Sequence, residues 1–242
     1  RDVNFIVFIN KNMTEEELNN LIKELNISRD QILREEAEMI FLNKLASNPL
    51  GAKVLFYGGT VLRLAYNSPR FSEDIDFLQI RKIEHSEFKD FINQIVKENP
   101  NWELKDIKNK RQTIFALILI KDQKIKHAFS FKIEIHKPSK KINIESKIML
   151  IKSPTSVFSP LLLAPTLQEL KKLKEKALNK RKKARDIFDL WYISQSLREN
   201  FVLPQKIPRY SEREFKNELQ VFLPKNYYPV IQQLYDKINR KN

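Results

Sequence analysis

Two aspartates stand two residues apart in the run Asp74-Ile75-Asp76-Phe77. On a β-strand, residues i and i+2 share one face. Both carboxylates would then point the same way, with Ile75 and Phe77 turned into a core. Two adjacent carboxylates repel, and a fold tolerates them more readily when a cation neutralises them. A hard ion such as magnesium prefers such oxygen ligands together with substrate phosphates. A third carboxylate is expected from a neighbouring strand, Phe131-Lys132-Ile133-Glu134-Ile135-His136. There the apolar residues take one face, and Lys132, Glu134 and His136 the other, so Glu134 would join the aspartates if the strands are adjacent. Upstream, Gly58 and Gly59 are two of only three glycines in the chain. They sit between a short apolar run and a helix. Glycine allows a tight turn and close approach of a ligand to the backbone. The helix start offers free N–H groups and a positive dipole end, which suits a phosphate, and Thr60 adds a hydroxyl. Taken singly, each piece also fits a bland role: an ordinary strand-to-helix turn, a solvated Asp-x-Asp, a surface glutamate.

Composition narrows the choice of ion. The chain has no cysteine, so disulfides and thiolate metal sites are excluded. Its three histidines, His85, His127 and His136, lack zinc spacing. The net charge is +14, which attracts polyphosphates and suggests a nucleic-acid partner. Basic residues concentrate at Lys174, Lys176, Lys180, Arg181, Lys183 and Arg185, just ahead of Asp186 and Asp189. On a helix the two acids are i and i+3 neighbours. Lysines here could grip a triphosphate as point charges, although a solvated basic face accounts for most of them.

The elements that must position these groups are legible in outline. Residues 14–26 and 28–47 read as helices, the first with a Thr cap and an acidic first turn. Residues 54–57 read as a buried strand, 60–66 as a short helix, 75–80 as a strand and 86–98 as a helix. Residues 102–107, 113–121 and 127–136 suit three antiparallel strands, and a Pro- and Ser-rich loop spans 152–160. Residues 166–196 are helical in pattern, and 211–239 hold one or two more helices around Pro224 and Pro229. A boundary near Pro160 divides an α/β part, residues 1–160, from a helical part, residues 161–242. The apolar residues 3–9 lack the flanks of a secretory signal, and residues 114–120 are too short to span a bilayer. A soluble, cytoplasmic protein without a membrane partner is expected.

Taken in order, Gly58-Gly59-Thr60-x-Leu62-Arg63-Leu64, Arg70-x-Ser72-Glu73-Asp74-Ile75-Asp76-Phe77, and Lys176 followed by Arg185-Asp186-Ile187-Phe188-Asp189-Leu190 resemble the motifs of the AbiEii/AbiGii toxin family of nucleotidyltransferases, which includes MenT-type toxins. The likeness covers roughly residues 50–195. It implies an α+β fold, with a polymerase-β-like core of mixed sheet and flanking helices followed by a helical region. It implies Asp74 and Asp76 as magnesium ligands, with manganese as an alternative ion, and Glu134 from the strand reading would be the third carboxylate. Gly58, Gly59 and Thr60 would cradle the phosphates of a nucleoside triphosphate, with Arg63 and Ser72 beside them. Lys176 matches the family lysine near the triphosphate, with Lys174 or Lys180 as alternatives, and Asp186 or Asp189 matches the late acidic motif.

The resemblance further implies transfer of a nucleotide to an acceptor hydroxyl by a toxin, with a cognate antitoxin as partner and tRNA or another RNA as acceptor. Protein or small-molecule acceptors, and a non-catalytic binding module on the same fold, are the competing readings. The first would not need a basic surface, and the second would bind neither metal nor nucleotide.

Overall fold

The computed structural model describes residues 13–125, 127–140, 143–204 and 207–240. The apolar residues 3–9 lie outside the described residues. Helix α1 (Glu15–Leu25) starts at a capping box, in which Thr14 accepts from the Glu17 N–H and Glu17 accepts from the Thr14 N–H. Helix α2 (Arg29–Ala46) gives way to a 3-10 turn (Pro49–Lys53), where the Asn48 side chain accepts from the Leu50 N–H. Strand β1 (Val54–Tyr57) runs straight into helix α3 (Gly58–Tyr66). Strand β2 (Asp74–Gln79) and helix α4 (His85–Glu98) follow, then strands β3 (Trp102–Asn109), β4 (Thr113–Ile120) and β5 (Phe129–His136). Strands β6 (Ser146–Leu150) and β7 (Leu161–Pro165) precede helices α5 (Leu167–Arg181), α6 (Ala184–Ser196), α7 (Glu212–Gln220) and α8 (Tyr228–Asn239).

The architecture is α+β. Five strands form one sheet in the order β1-β2-β5-β4-β3. β2 and β5 run parallel while the other neighbours are antiparallel, so the sheet is mixed. Burial alternates residue by residue along β4 and β5. Ile75, Phe77, Ile133 and Ile135 point into the core, and the polar residues between them face outward. Helices α2 and α4 cover the inner face. Phe41 of α2 packs against Phe77 and Phe131 of the sheet and against Phe91 of α4, with ring centroids 6.4, 6.2 and 5.8 Å apart. Burial of each such ring contributes on the order of 2–3 kcal/mol. The inner face is thereby covered by helices, and the outward residues of β4 and β5 stay partly exposed.

Two features depart from the sequence pattern. The Pro- and Ser-rich loop is flanked by a hairpin, because Leu150 pairs with Leu161 and Ile148 with Leu163 across it. The stretch 166–196 is also not one helix. It breaks at Lys182, which caps α5 in the left-handed region with φ 52°. The break folds α6 back against α5 and brings Arg181 onto Asp186, five residues later. A second apolar cluster joins Leu178 of α5 and Phe188 of α6 to Phe215 and Leu219 of α7 and Ile231 and Leu234 of α8. The loop between α7 and α8 reaches back to the loop that leads into β2, where the Phe71 N–H donates to the Phe222 carbonyl at 2.8 Å. No helix among the described residues is long and apolar enough to cross a membrane.

Candidate active site

The site grows from the start of β2. Asp74 and Asp76 share the outer face, and β5 lies alongside in parallel register, with Asp74 opposite Lys132 and Asp76 opposite Glu134. Strand β1 borders the other side, with Tyr57 opposite Asp76. The chain then turns at Gly58, with φ 94°, to start α3. That angle favours glycine, and space demands it as well. A Cβ on Gly58 would stand 2.6 Å from Asp76 Oδ2. The missing side chain lets the carboxylate rest against the helix start. Thr60 is buried, and its hydroxyl donates to the Asp74 carbonyl at 2.5 Å. It pins α3 to the strand of the carboxylates and leaves only its backbone to meet a phosphate.

The electrostatics show a surplus of negative charge. Burial, and then the charge of Asp74, pushes the Asp76 carboxyl above its ordinary value. Lys132 Nζ stands 3.2 Å from both Asp74 Oδ2 and Glu134 Oε2. Burial alone would lower its pKa, but the carboxylates of Asp74 and Glu134 outweigh that and raise it. The ligand atoms of Asp76, Glu134 and His136 all lie within 4.8 Å of one another. The Tyr57 ring meets His136 edge-on at 6.0 Å, and burial raises the Tyr57 hydroxyl. Asp76, held against a glycine, and Glu134 with His136 form a group close enough to hold one divalent cation, while Asp74, on the same face, lies outside that group and pairs with Lys132.

Behind the glycine turn lies a buried ionic network. Arg70, 2 % exposed, donates through Nε and Nη2 to both oxygens of Asp189 at 2.7 and 2.8 Å, and through Nη1 to the Phe71 carbonyl. Lys174 Nζ lies 2.5 Å from Asp189 and 3.3 Å from Asp186. Arg181 holds Asp186 with a two-pronged contact at 2.7 and 2.8 Å. Burial would raise both acids. Arg70 and Lys174 instead bring Asp189 down to about 2, and Arg181 with Lys174 lowers Asp186. A Cβ on Gly59 would meet Arg70 Nη2 at 2.5 Å and Ser72 Oγ at 3.0 Å. The network therefore abuts the floor of the turn.

The anticipated residues divide accordingly. Asp74, Asp76, Glu134, Gly58, Gly59, Thr60 and Ser72 come together at the turn. Lys174, Asp186 and Asp189 lie next to them in the network, with both acids fully buried and facing cations. Lys176 is not brought there. It is exposed and has no ion pair among the described residues. Two residues along a helix is a turn of about 200°, so a helix that aims Lys174 inward aims Lys176 out. Arg63 is also engaged elsewhere. Its Nε and Nη2 bond Glu35, its Nη1 bonds the Ser68 carbonyl, and its plane lies 3.9 Å from the Phe71 ring centroid. The sequence places Lys132 and His136 on the Glu134 face and Arg70 in a motif, but assigns none of them a role. The first two carry the same period-2 signal as Glu134. Arg70 stands in the motif ahead of Asp74, but its role has no local signal, because its partner is 119 residues away.

Comparison with known proteins adds the following. The family described as nucleotidyl transferase AbiEii toxin, type IV toxin–antitoxin system, matches residues 40–237. No curated protein matches the sequence. Among solved structures, MenT4, a nucleotidyltransferase toxin from Mycobacterium tuberculosis, has a TM-score of 0.59 at 14 % identity, covering 94 % of this chain and 90 % of its own. JHP933 from Helicobacter pylori has a TM-score of 0.54 at 18 % identity, covering 89 % and 96 %. At these identities the likeness is one of fold.

Proposed function

The chain belongs to the AbiEii nucleotidyl transferase toxin family, and from that premise we propose that it transfers a nucleotide from a nucleoside triphosphate to a hydroxyl of an RNA, with tRNA the first candidate. The observation that carries this reading is the alignment of Asp74, Asp76 and Glu134 on one sheet face beside the Gly58 turn. The acceptor oxygen bonds to the α-phosphorus, the bond between the α- and β-phosphates breaks, pyrophosphate leaves, and the hydroxyl proton is released to water. Asp74, Asp76 and Glu134 would hold magnesium or manganese, which when bound supplies charge neutralisation at the phosphates and a lowered acceptor pKa.

The protein itself supplies position and charge. The Gly58–Gly59 turn and the α3 N-terminus receive the phosphates, with Ser72 at the edge. Lys174 and Arg181 contribute positive charge from behind, and Asp186 and Asp189 act through these cations by fixing them. The basic surplus of +14 favours a polyanionic acceptor. A toxin of this family works against an antitoxin, so a neutralising protein partner belongs to the proposal.

The test is incubation with magnesium, total tRNA and each labelled nucleoside triphosphate in turn, beside Asp74→Asn. Label on tRNA with the wild type alone is the expected result. Label on protein from added lysate, with none on RNA, would overturn the RNA acceptor and keep the transfer. No label anywhere, with no nucleotide binding, would overturn both.

A further inference from the structure

The proposed transfer uses the β1–β2 side of the sheet and leaves the outer face of β4 and the β3–β4 hairpin without a role. That face is unusual for solvent. On β4 the outward residues include Phe115, Leu117 and Leu119, each partly exposed, while the alternate residues Ile114, Ala116 and Ile118 are fully buried. Antiparallel register sets Phe115 directly opposite Glu134 and Leu117 opposite Lys132. Directly opposed side chains have Cβ atoms about 5 Å apart. An aromatic ring therefore stands one strand away from the carboxylates.

Positive charge surrounds the ring. Lys110 Nζ lies 5.8 Å from the Phe115 ring centroid. Lys110 and Arg111 are exposed at the hairpin tip, with no acidic partner among the described residues. Lys137 braces the hairpin by donating to the Lys110 carbonyl at 2.8 Å and to the Asn109 side chain. Among the described residues neither tip cation has an ion-pair partner, and Lys110 Nζ meets only the Phe115 ring.

Direction decides what this surface meets. In an in-line displacement the entering and leaving oxygens lie on opposite sides of the phosphorus. The glycine turn, Lys174 and Arg181 belong to the β1–β2 side, where the leaving pyrophosphate would rest. The entering hydroxyl must then arrive across β5 from the β4–β3 side. An aromatic ring flanked by cations that lack acidic partners is the composition that binds single-stranded nucleic acid, with a base on the ring and phosphates on the cations. We infer that Phe115 with Lys110 and Arg111 forms the acceptor subsite: the end of a single-stranded RNA stacks a base on Phe115 and sets its backbone on the hairpin tip. This inference rests on the proposed transfer to RNA.

Fluorescence anisotropy with a short, end-labelled single-stranded RNA tests it without turnover. Phe115→Leu keeps the apolar packing and removes the π-face. It should melt with the wild type and weaken RNA binding roughly ten-fold or more, whereas Phe115→Trp should restore binding. Replacing Lys110 and Arg111 by Glu should weaken binding and flatten the slope of log affinity against log salt by about 1.4. The Michaelis constant for the nucleoside triphosphate should not change in Phe115→Leu, while that for RNA rises. Wild-type affinity in Phe115→Leu would overturn the subsite and leave the proposed transfer standing. A change confined to the nucleotide constant would assign the ring to the nucleotide and overturn it as well. A wild-type protein that binds nucleotide but no RNA would overturn the RNA acceptor and the subsite together.

Discussion

Gly59→Ala should destabilise this protein, although the same change in an ordinary helix start would stabilise it. Gly59 lies at the second position of α3, where alanine is favoured over glycine by about 1 kcal/mol. The added Cβ, however, would stand 2.5 Å from Arg70 Nη2. An arginine tip is normally free to move aside. This one is 2 % exposed and is fixed by two bonds to Asp189 and one to the Phe71 carbonyl. Making room for the methyl group means parting a buried ion pair, which costs about 3–5 kcal/mol. The net loss is about 2–4 kcal/mol, or a melting temperature lower by roughly 5–15 °C for a chain of this size. The assay is a double-mutant cycle by thermal unfolding, with Arg70→Met as the second change. Arg70→Met alone also destabilises, but it removes the obstacle, so Gly59→Ala on that background should be neutral or favourable. Equal losses on both backgrounds would refute the claim that Asp189 locks Arg70 beneath the turn.

Further expectations concern the same network. Lys174→Met should lower the melting temperature by roughly 10 °C, because Asp186 and Asp189 lose a buried partner. Lys176→Met should stay within about 0.5 kcal/mol of wild type by the same melt, since its side chain is exposed. Acid should weaken the protein through Asp189, whose folded-state pKa of about 2 lies below the ordinary 3.8. As pH falls the unfolded chain takes up this proton first, so the stabilisation is full above pH 4 to 5 and fades toward pH 2. It amounts to about 2 kcal/mol, and Asp186 acts in the same direction. Urea unfolding across this range should show a shallower pH dependence in Asp189→Asn than in wild type.

The sequence makes the carboxylate face legible because strand periodicity is strict. Asp74 and Asp76 alternate with Ile75 and Phe77, and Glu134 alternates with Ile133 and Ile135, so side-chain direction follows from sequence as soon as the strands are recognised. The Gly-Gly pair was equally legible in a chain with three glycines. The crowd of lysines hides which of Lys174 and Lys176 faces inward, yet the helix period separates them. Leu170, Lys174 and Leu178 recur every fourth residue, and all three are buried. Other features had no local signature. Arg70 looks like a loop arginine until Asp189 arrives from the far end of the chain. Thr60 looks like a phosphate ligand until its hydroxyl meets the Asp74 carbonyl. Strands β6 and β7 are only five residues long, and β7 is apolar throughout, so neither declares a period.

Lys132 bears most directly on the metal. Asp74, Asp76 and Glu134 bring three negative charges to one face, and Lys132, 32 % exposed, offsets one of them from a point 3.2 Å from two of the carboxylates. The remaining charge matches a divalent cation. An ion bound to Asp74 and Glu134 must compete with that ammonium. Lys132→Met removes the competitor, so the metal-free protein should be less stable than wild type while its affinity for magnesium rises. A ten-fold tighter dissociation constant adds about 1.4 kcal/mol of stabilisation once magnesium is in excess, or roughly 3–6 °C of extra melting shift. Melting curves with and without magnesium measure this directly and need no substrate. If magnesium shifted both proteins equally, Lys132 would not be the counter-ion that the metal displaces. If it shifted neither, the three carboxylates would not bind a metal without the nucleotide, and its phosphates would have to be counted among the ligands.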